Sequence, residues 1–562
     1  MTDDVEKGTS SGSTGSLTET DQSGTEHTKD FEDVGVAPPN IDYEDPVSLE
    51  RIRSAMSIAS ETVGAAVHPH DFKKSGEPLP AFGGGRPYPP VLPDREGYVV
   101  EFDGANDPDH PQNFSLAKKL RIMGILGYCT FTITFGSSIF SAGTEVIAKK
   151  FHVSNEVALL GTSLYVLGFG SGPLLWAPFS ELSGRRLPIL CGMFGFTVFQ
   201  FAVATAYDIQ TIMLGRFFGG FFGASCLAVV PATFADIVGN KFRGAAMTTF
   251  VAAVFCGPLL GPIIGSFIVA SYLGWRWTAY LTGIMGGASL IGLVFLVEET
   301  YAPTVLVGKA AKLRRLTGIW GIQARQEQVE FDLKELVEKN FSRPLRMLVA
   351  EPILLLISIY SAFIYGILYL LLEAYPIIFV EGYGMSSTIG ELPYIGLIIG
   401  QLIGCGIVLA FEPRQVRAMA ANGGRVLPEL RLVPTIIGSV VFPIGLFWLT
   451  WSGAYHEHVH WSVPTVAGLF VGCGIILIFL TSLTYIIESY LMFAASAMAA
   501  NTMMRSFFAA GFPLFANQLF HNLHVQWAGT LLGCVAIVLL PVPVFFYLYG
   551  QRLRKISKYA PT

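Results

Sequence analysis

Ala177-Pro-Phe-Ser-Glu181-Leu-Ser-Gly184-Arg185-Arg186 is a short polar hinge between two apolar runs, residues 157–176 and 187–206. A helix needs about 20 apolar residues to cross a hydrocarbon core about 30 Å thick, and both runs have them. They are continuous rather than alternating, which excludes a membrane β-barrel. Gly184 permits a tight turn, and the two arginines can meet helix C-termini and carboxylates at a membrane surface. The stretch reads as the turn of a helical hairpin in a bilayer.

Ten further runs flank this hairpin, near 120–143, 210–232, 245–270, 278–297, 352–379, 391–411, 432–451, 463–486, 495–518 and 527–549. The fold class is therefore an all-α polytopic membrane protein with twelve transmembrane helices. Composition agrees. Of 562 residues, 52% are hydrophobic and 14% charged, against about 25% charged in a soluble domain. Mean hydropathy is +0.51. A soluble multidomain chain, a disulfide scaffold and a wholly disordered chain are excluded. The seven cysteines all fall inside apolar runs and no CxxC occurs, so they read as small membrane-buried hydrophobes.

Charge divides the chain. Residues 1–116 hold 22 Asp and Glu against 8 Lys and Arg; the remainder holds 20 against 29. The first segment lacks the apolar area to offset chain entropy and reads as a disordered acidic cytosolic tail, with no signal peptide. With the N terminus inside, the cytosolic segments carry 24 Lys and Arg and the outer loops three, Lys149, Lys150 and Arg276. That bias places both chain ends in the cytosol. The expected divisions are the tail 1–116, a six-helix bundle 117–297, a charged cytosolic loop 298–350 with a helical pattern over Phe331–Asn340, a second bundle 351–550 and a short cytosolic tail 551–562. Six spans plus six is the organisation expected of transporters with a central site between bundles.

Three motifs carry mechanics. In the hinge, Glu181, Gly184, Arg185 and Arg186, with Asp236 after span four, would form a charge lattice that latches a rocking bundle; the alternative is a topological anchor. In span five, Gly257-Pro258-Leu-Leu-Gly261-Pro262-Ile-Ile-Gly265 offers a small-residue face for close packing, with prolines that kink the helix. In span four, Arg216 stands in Arg216-Phe-Phe-Gly-Gly220-Phe-Phe-Gly223. An arginine within a span is costly and so a functional candidate. It would hold a carboxylate, tune its proton affinity, or snorkel to the interface.

Together these motifs resemble the major facilitator superfamily. The hinge is similar to the family's Gly-x3-Asp-x2-Gly-Arg-Lys/Arg loop, with Ala177 for Gly and Glu181 for Asp. The span-five run resembles the glycine-proline signature of the family's antiporters, and Arg216 its span-four Arg-Gly element. Asp107-Pro108 with Pro111-Gln112-Asn113, Glu299-Thr-Tyr-Ala-Pro303, Ala494-Ala-Ser-Ala497, Asn501-Thr502 and Arg505-Ser506 extend the resemblance to fungal twelve-spanning drug:proton antiporters, over residues 100 to 550. The resemblance implies export of amphipathic small molecules in exchange for protons, by alternating access, from a plasma-membrane or vacuolar protein.

In the second half, Glu373, Glu488 and Arg505 are ionisable groups within apolar runs. Glu373 reads as the main proton- or cation-handling carboxylate, since a desolvated carboxyl takes up and releases protons near neutral pH. Glu488 and Arg505 read as a pair, either in coupling or as a structural ion pair. Phe131, Phe135, Tyr165, Tyr365, Tyr369 and Phe508, with Asn501, are candidates for a substrate cavity. His456-Glu-His458-Val-His460 reads as an ordinary wet loop rather than a metal site. No Walker, Rossmann or HExxH pattern occurs, so ATP-driven pumping has no support and no cofactor or metal is expected. The expected partners are a small-molecule substrate, protons and the lipid bilayer, with no nucleic acid, and the expected state is a monomer. A polyamine or nutrient transporter is the alternative within transport. A membrane-embedded enzyme lacks a catalytic cluster, and a receptor is disfavoured by twelve spans.

Overall fold

The computed structural model describes residues 95–104, 106–239, 242–328, 342–421, 427–490 and 493–559. Among them, spans one to six are Leu116–Ser138, Asn155–Ser183, Arg186–Thr205, Ile209–Ile237, Arg243–Ala270 and Arg276–Leu296. Spans seven to ten are Pro352–Gly382, Tyr394–Ala421, Pro428–Ala454 and Ser462–Ser489. A last helical stretch, Ala494–Lys555, has 62 residues. At about 1.5 Å per residue it would be roughly three times as long as a hydrocarbon core is thick. It is divided at His524, whose backbone (φ 61, ψ 156) is not helical. The two pieces are spans eleven and twelve. Ser115, Ser154 and Asp208 start spans one, two and four, each side chain accepting the amide three residues on, which satisfies a donor that the helix leaves free.

The halves share one packing plan. Spans one and five, two and four, three and four, and three and six pack together in the first half. Spans seven and eleven, eight and ten, and nine and ten do so in the second. Span twelve meets span nine where Gly529 lies against Thr450 and Gly533 against Phe447. Adding six to each span number of the first list yields the second. Two seams join the bundles, spans two with eleven and five with eight, and the same shift exchanges them. This is the pattern of two like halves about an axis along the membrane normal. With twelve crossings both ends of the described chain lie on one side, here called the terminal face; the other is the far face.

The tail expected over 1–116 lies outside the described residues as far as residue 94. From Arg95 the chain is folded. Tyr98, Val99 and Val100 are buried, and the Val100 amide donates to the Gln323 carbonyl (3.0 Å). The Asp107 carboxylate accepts the amides of Asp103 (2.7 Å) and Asp109 (2.8 Å) and lies 3.6 Å from Lys309 Nζ. Burial opposes its ionisation, but these amides and the ammonium outweigh it and hold its pKa below the ordinary value. The Asp107-Pro108 element thus clasps the leader to the linker helix Ala302–Thr317. The helical pattern over Phe331–Asn340 lies outside the described residues.

Candidate functional site

Glycines decide how closely the first bundle closes. A Cβ at Gly257, Gly261 or Gly265 would collide with Thr134 Oγ1, Ser138 Oγ or the Ile139 carbonyl. Span five, with Pro258 and Pro262 buried inside it, is thereby laid backbone to backbone on the far half of span one. Gly220 does the same for span four against the Tyr165 carbonyl of span two. These approaches bring main-chain carbonyls within reach of Arg216. Its guanidinium is buried and donates to the carbonyls of Gly161 (3.0 Å), Gly136 (2.7 Å) and Ser137 (2.7 Å). It also lies over the rings of Tyr165 (4.2 Å) and Phe140 (4.7 Å). The expected carboxylate partner is replaced by three carbonyls, and the side chain does not snorkel. Arg216 pins spans one, two and four.

The centre between the bundles is aromatic and closed. Tyr165 Oη donates to the Ile133 carbonyl (2.9 Å). Ser137 Oγ of the first bundle and Tyr369 Oη of the second are 2.9 Å apart. Tyr369 packs edge-on to Tyr365 (5.3 Å), and Tyr365 stacks on Phe479 (5.8 Å) and meets Phe255 (5.8 Å). Phe135, Tyr165, Tyr365 and Tyr369 are all buried. Phe131 stacks on Phe135 (5.7 Å), and Phe508 lies tilted against Phe512 (5.6 Å). Asn501 is buried and donates to Ser358 Oγ (3.2 Å). A recess of about 520 Å³ lies elsewhere, on the terminal face, among Phe114, Lys118, Arg186 and Glu298.

On that face the hinge is built around Arg185 and Glu299. Gly184 takes φ 87, and a Cβ there would lie 2.5 Å from Glu299 Oε2. The Glu299 carboxylate accepts the amides of Arg185 (2.9 Å) and Arg186 (3.1 Å) at the start of span three, a place where helix amides and dipole favour an anion. Arg185 Nε binds Asp236 Oδ2 (2.9 Å), its Nη1 donates to Ser180 Oγ (3.0 Å), and its guanidinium lies 4.5 Å from the Tyr301 ring centre. Arg186 Nη2 donates to the Val294 carbonyl (2.8 Å). Glu181 contributes its main-chain carbonyl, which accepts from Gln326 (2.9 Å). Its carboxylate enters no ion pair among the described residues.

A second cluster occupies the same place in the second half. Arg431, in the opening turn of span nine, binds Glu412 Oε2 (3.0 Å) and Glu488 Oε1 (2.9 Å) and also meets Gln415. The pairing expected of Glu488 with Arg505 is therefore corrected. Glu488 ends span ten at the terminal face, whereas Arg505 stands eleven residues into span eleven, about 16 Å along it. Glu412 also touches the other bundle, for a Cβ at Gly244 in the first turn of span five would collide with both its carboxylate oxygens.

Near the far face, Glu373 lies in the last α-helical turn of span seven, before the π-helical Pro376–Gly382. Glu391, in the connection to span eight, is buried, and its Oε2 has no hydrogen-bond partner among the described residues. Burial, and then the Glu373 carboxylate, push its pKa up to about 8. Tyr375 and Tyr394 stack beside them with ring centres 4.3 Å apart.

Residues 126–513 match the profile of the Major Facilitator Superfamily. The chain belongs to the Major Facilitator Superfamily. It is 47% identical over 541 residues to the major facilitator superfamily multidrug transporter FLU1 of Candida albicans, covering 95% of this chain and 88% of that protein. It is 51% identical over 481 residues to the multidrug transporter TPO1_2 of Candida glabrata, covering 86% and 83%. Among solved structures it resembles the proton:xylose symporter XylE, with TM-score 0.57 and 17% identity over 78% of this chain and 96% of that one. That last likeness shows the fold.

Within this superfamily fold, Arg431, Glu412 and Glu391 are site residues that sequence reasoning passed over. Arg431 looked like one more positive charge on the inner side. Glu391 sat at the edge of an apolar run with no neighbour in sequence to mark it. Glu299 had a signal, the Glu299-Thr-Tyr-Ala-Pro303 element, but no partner until the fold brought Gly184 to it.

Proposed function

We propose that this transporter is a secondary active exporter, driving amphipathic small molecules out of the cell in exchange for protons. In this reading the terminal face is cytosolic, the membrane is the plasma membrane and the protein works as a monomer. The observation that carries it is the closed aromatic centre where Ser137 of one bundle meets Tyr369 of the other. Rocking at the two seams would open that centre to either face in turn. The relatives named multidrug transporters support a broad, amphipathic substrate range.

Glu373, with Glu391 beside it, is the proposed proton carrier. Both lie near the far face, which would be the proton-rich side, and among the described residues no cation pairs with Glu391 to hold it ionised. The test is flux of a panel of amphipathic compounds in sealed vesicles, with and without an imposed proton gradient. Gradient-stimulated flux is expected, and Glu373→Gln should abolish the stimulation. Undiminished coupled flux in that variant would remove Glu373 from the mechanism. A polyamine or nutrient transporter is the second reading. It is favoured by the Glu373 and Glu391 carboxyls, which suit a cation, and gradient-driven spermidine flux by the wild type would support it.

A further inference from the structure

Two arginines lie deep within spans, and their surroundings differ. Arg216 has three carbonyl acceptors. Arg505 is 93% buried, yet its Nε has no hydrogen-bond partner among the described residues. No carboxylate pairs with it among the described residues. Its guanidinium lies against two rings, 5.1 Å from the centre of Phe479 and 5.3 Å from that of Tyr365. An arginine over an aromatic face gains about 2 kcal/mol when desolvated. Burying an unpaired ion costs several kcal/mol. The rings therefore do not compensate the burial, and the structure leaves a desolvated cation with donors unused.

Arg505 does not stand alone in this. Ser506 Oγ and Asn501 Oδ1 are also buried without partners. Asn501 lies one helical turn before Arg505 on span eleven. Ser506 touches the other bundle, because a Cβ at Gly170 of span two would lie 2.9 Å from Ser506 Cβ. The rings belong to spans five, seven and ten: Phe255 meets Phe479 at 4.6 Å and Tyr365 at 5.8 Å. A single ligand here would touch both bundles. It would find a cation and a hydroxyl beside an apolar aromatic wall.

We propose that Arg505 is the recognition group for the anionic head, a carboxylate or a sulfonate, of an amphipathic substrate whose apolar body packs against Tyr365, Phe479 and Phe255. This deepens the exporter reading and rests on it. A guanidinium presents paired donors that match two oxygens of a carboxylate. In a low-dielectric site that match is worth more than in water. The same charge disfavours a cationic ligand at the centre, so polyamines would not bind there. The competing explanation is that Arg505 meets a carboxylate of this chain in another arrangement of the bundles.

Three probes share one ring system: 2-naphthoate, its neutral amide 2-naphthamide, and 2-naphthylmethylammonium. Binding and uptake of each are measured with the full chain in proteoliposomes. The wild type should prefer naphthoate. Arg505→Gln should lower the naphthoate-to-naphthamide affinity ratio by about tenfold or more, the size of a lost charge-assisted bond. Arg505→Lys should recover part of the ratio. Ser506→Ala, which leaves the arginine in place, should lower it about threefold; this arm decides the matter if Arg505→Gln does not fold. Equal weakening of both probes in Arg505→Gln would overturn the proposal in favour of the internal pair. So would an unchanged ratio, or a wild-type preference for the ammonium. Naphthamide uptake by the wild type with an unchanged ratio would sink the anion assignment and leave the exporter reading standing. No uptake of any probe or of the wider panel would sink both.

Discussion

Each bundle carries an arginine-carboxylate cluster at the start of its third span on the terminal face, but the two clusters are closed differently. In the first, every member belongs to the same bundle or its trailing linker: Arg185 from the hinge, Asp236 from span four, Glu299 from beyond span six. In the second, Arg431 binds Glu412 and Glu488, and Glu412 also rests on the first turn of span five in the other bundle. The first cluster is a strut within a body. The second is a contact between bodies, and only such a contact must change when the bodies move.

The comparison is broken most directly at Arg431. Arg431→Ala removes from Glu412 and Glu488, two part-buried carboxylates, the one side chain that forms an ion pair with both. Stripping one partner from a buried pair costs about 3–5 kcal/mol, less where water reaches the group. Transport should fall more than about tenfold and the melting temperature of the purified protein should drop. An unaltered melting curve would show that Glu412 and Glu488 need no counter-charge. Gly244→Ala is next. It pushes a methyl into Glu412 while both ion pairs keep their atoms. Flux should fall roughly three- to tenfold, an inter-bundle clash of about 1 kcal/mol or slightly more. The melting temperature should move far less than in Arg431→Ala. Equal thermal losses in the two variants would erase the distinction between strut and contact.

Arg185→Ala should reduce transport about fivefold, as loss of a part-exposed pair and its hydrogen bonds implies. Surface labelling should show the protein still in the membrane. Glu181→Gln, at a carboxylate outside the pairs, should leave flux near normal. Away from both clusters, Glu391 gives an effect that is read only as a dependence on pH. Its pKa is raised from 4.5 to about 8. The folded state therefore holds a proton that the unfolded chain has lost. The sign follows: this contribution to stability is complete below pH 4.5, falls as pH rises towards about 8, and is flat above. The slope is at most about 1.4 kcal/mol per pH unit. Melting temperatures from pH 5 to 9 should flatten in Glu391→Gln, and persistence of the full slope would assign the titration elsewhere.

Hydropathy alone located the twelve apolar crossings, because each needs about 20 apolar residues, but helices two and eight run on past their apolar runs, to Ser183 and Ala421. Span boundaries moved where local chemistry intervened, as at Glu391, which falls in the turn before Tyr394 rather than within the span. The like halves were not legible in the residues. They share a packing plan, and packing depends on which faces carry small side chains, not on identical letters. The partners of the charged groups were the least legible. Arg216 was marked by its cost in lipid, but its carbonyl partners exist only because Gly161 and Gly220 let three helices close on it. Arg431 finds its acids 19 and 57 residues away in sequence, and no local pattern could announce that.

The two seams, spans two with eleven and five with eight, are exchanged by the relation between the halves, which places them on opposite sides of its axis. A solid that touches another along two such lines keeps one easy freedom, a tilt about the line that joins them. Tilting one way parts the terminal mouth and tightens the other; tilting back does the reverse. A through-going channel would require both lines of contact to separate together, so resistance to leak is a property of the joinery and not of any single gate.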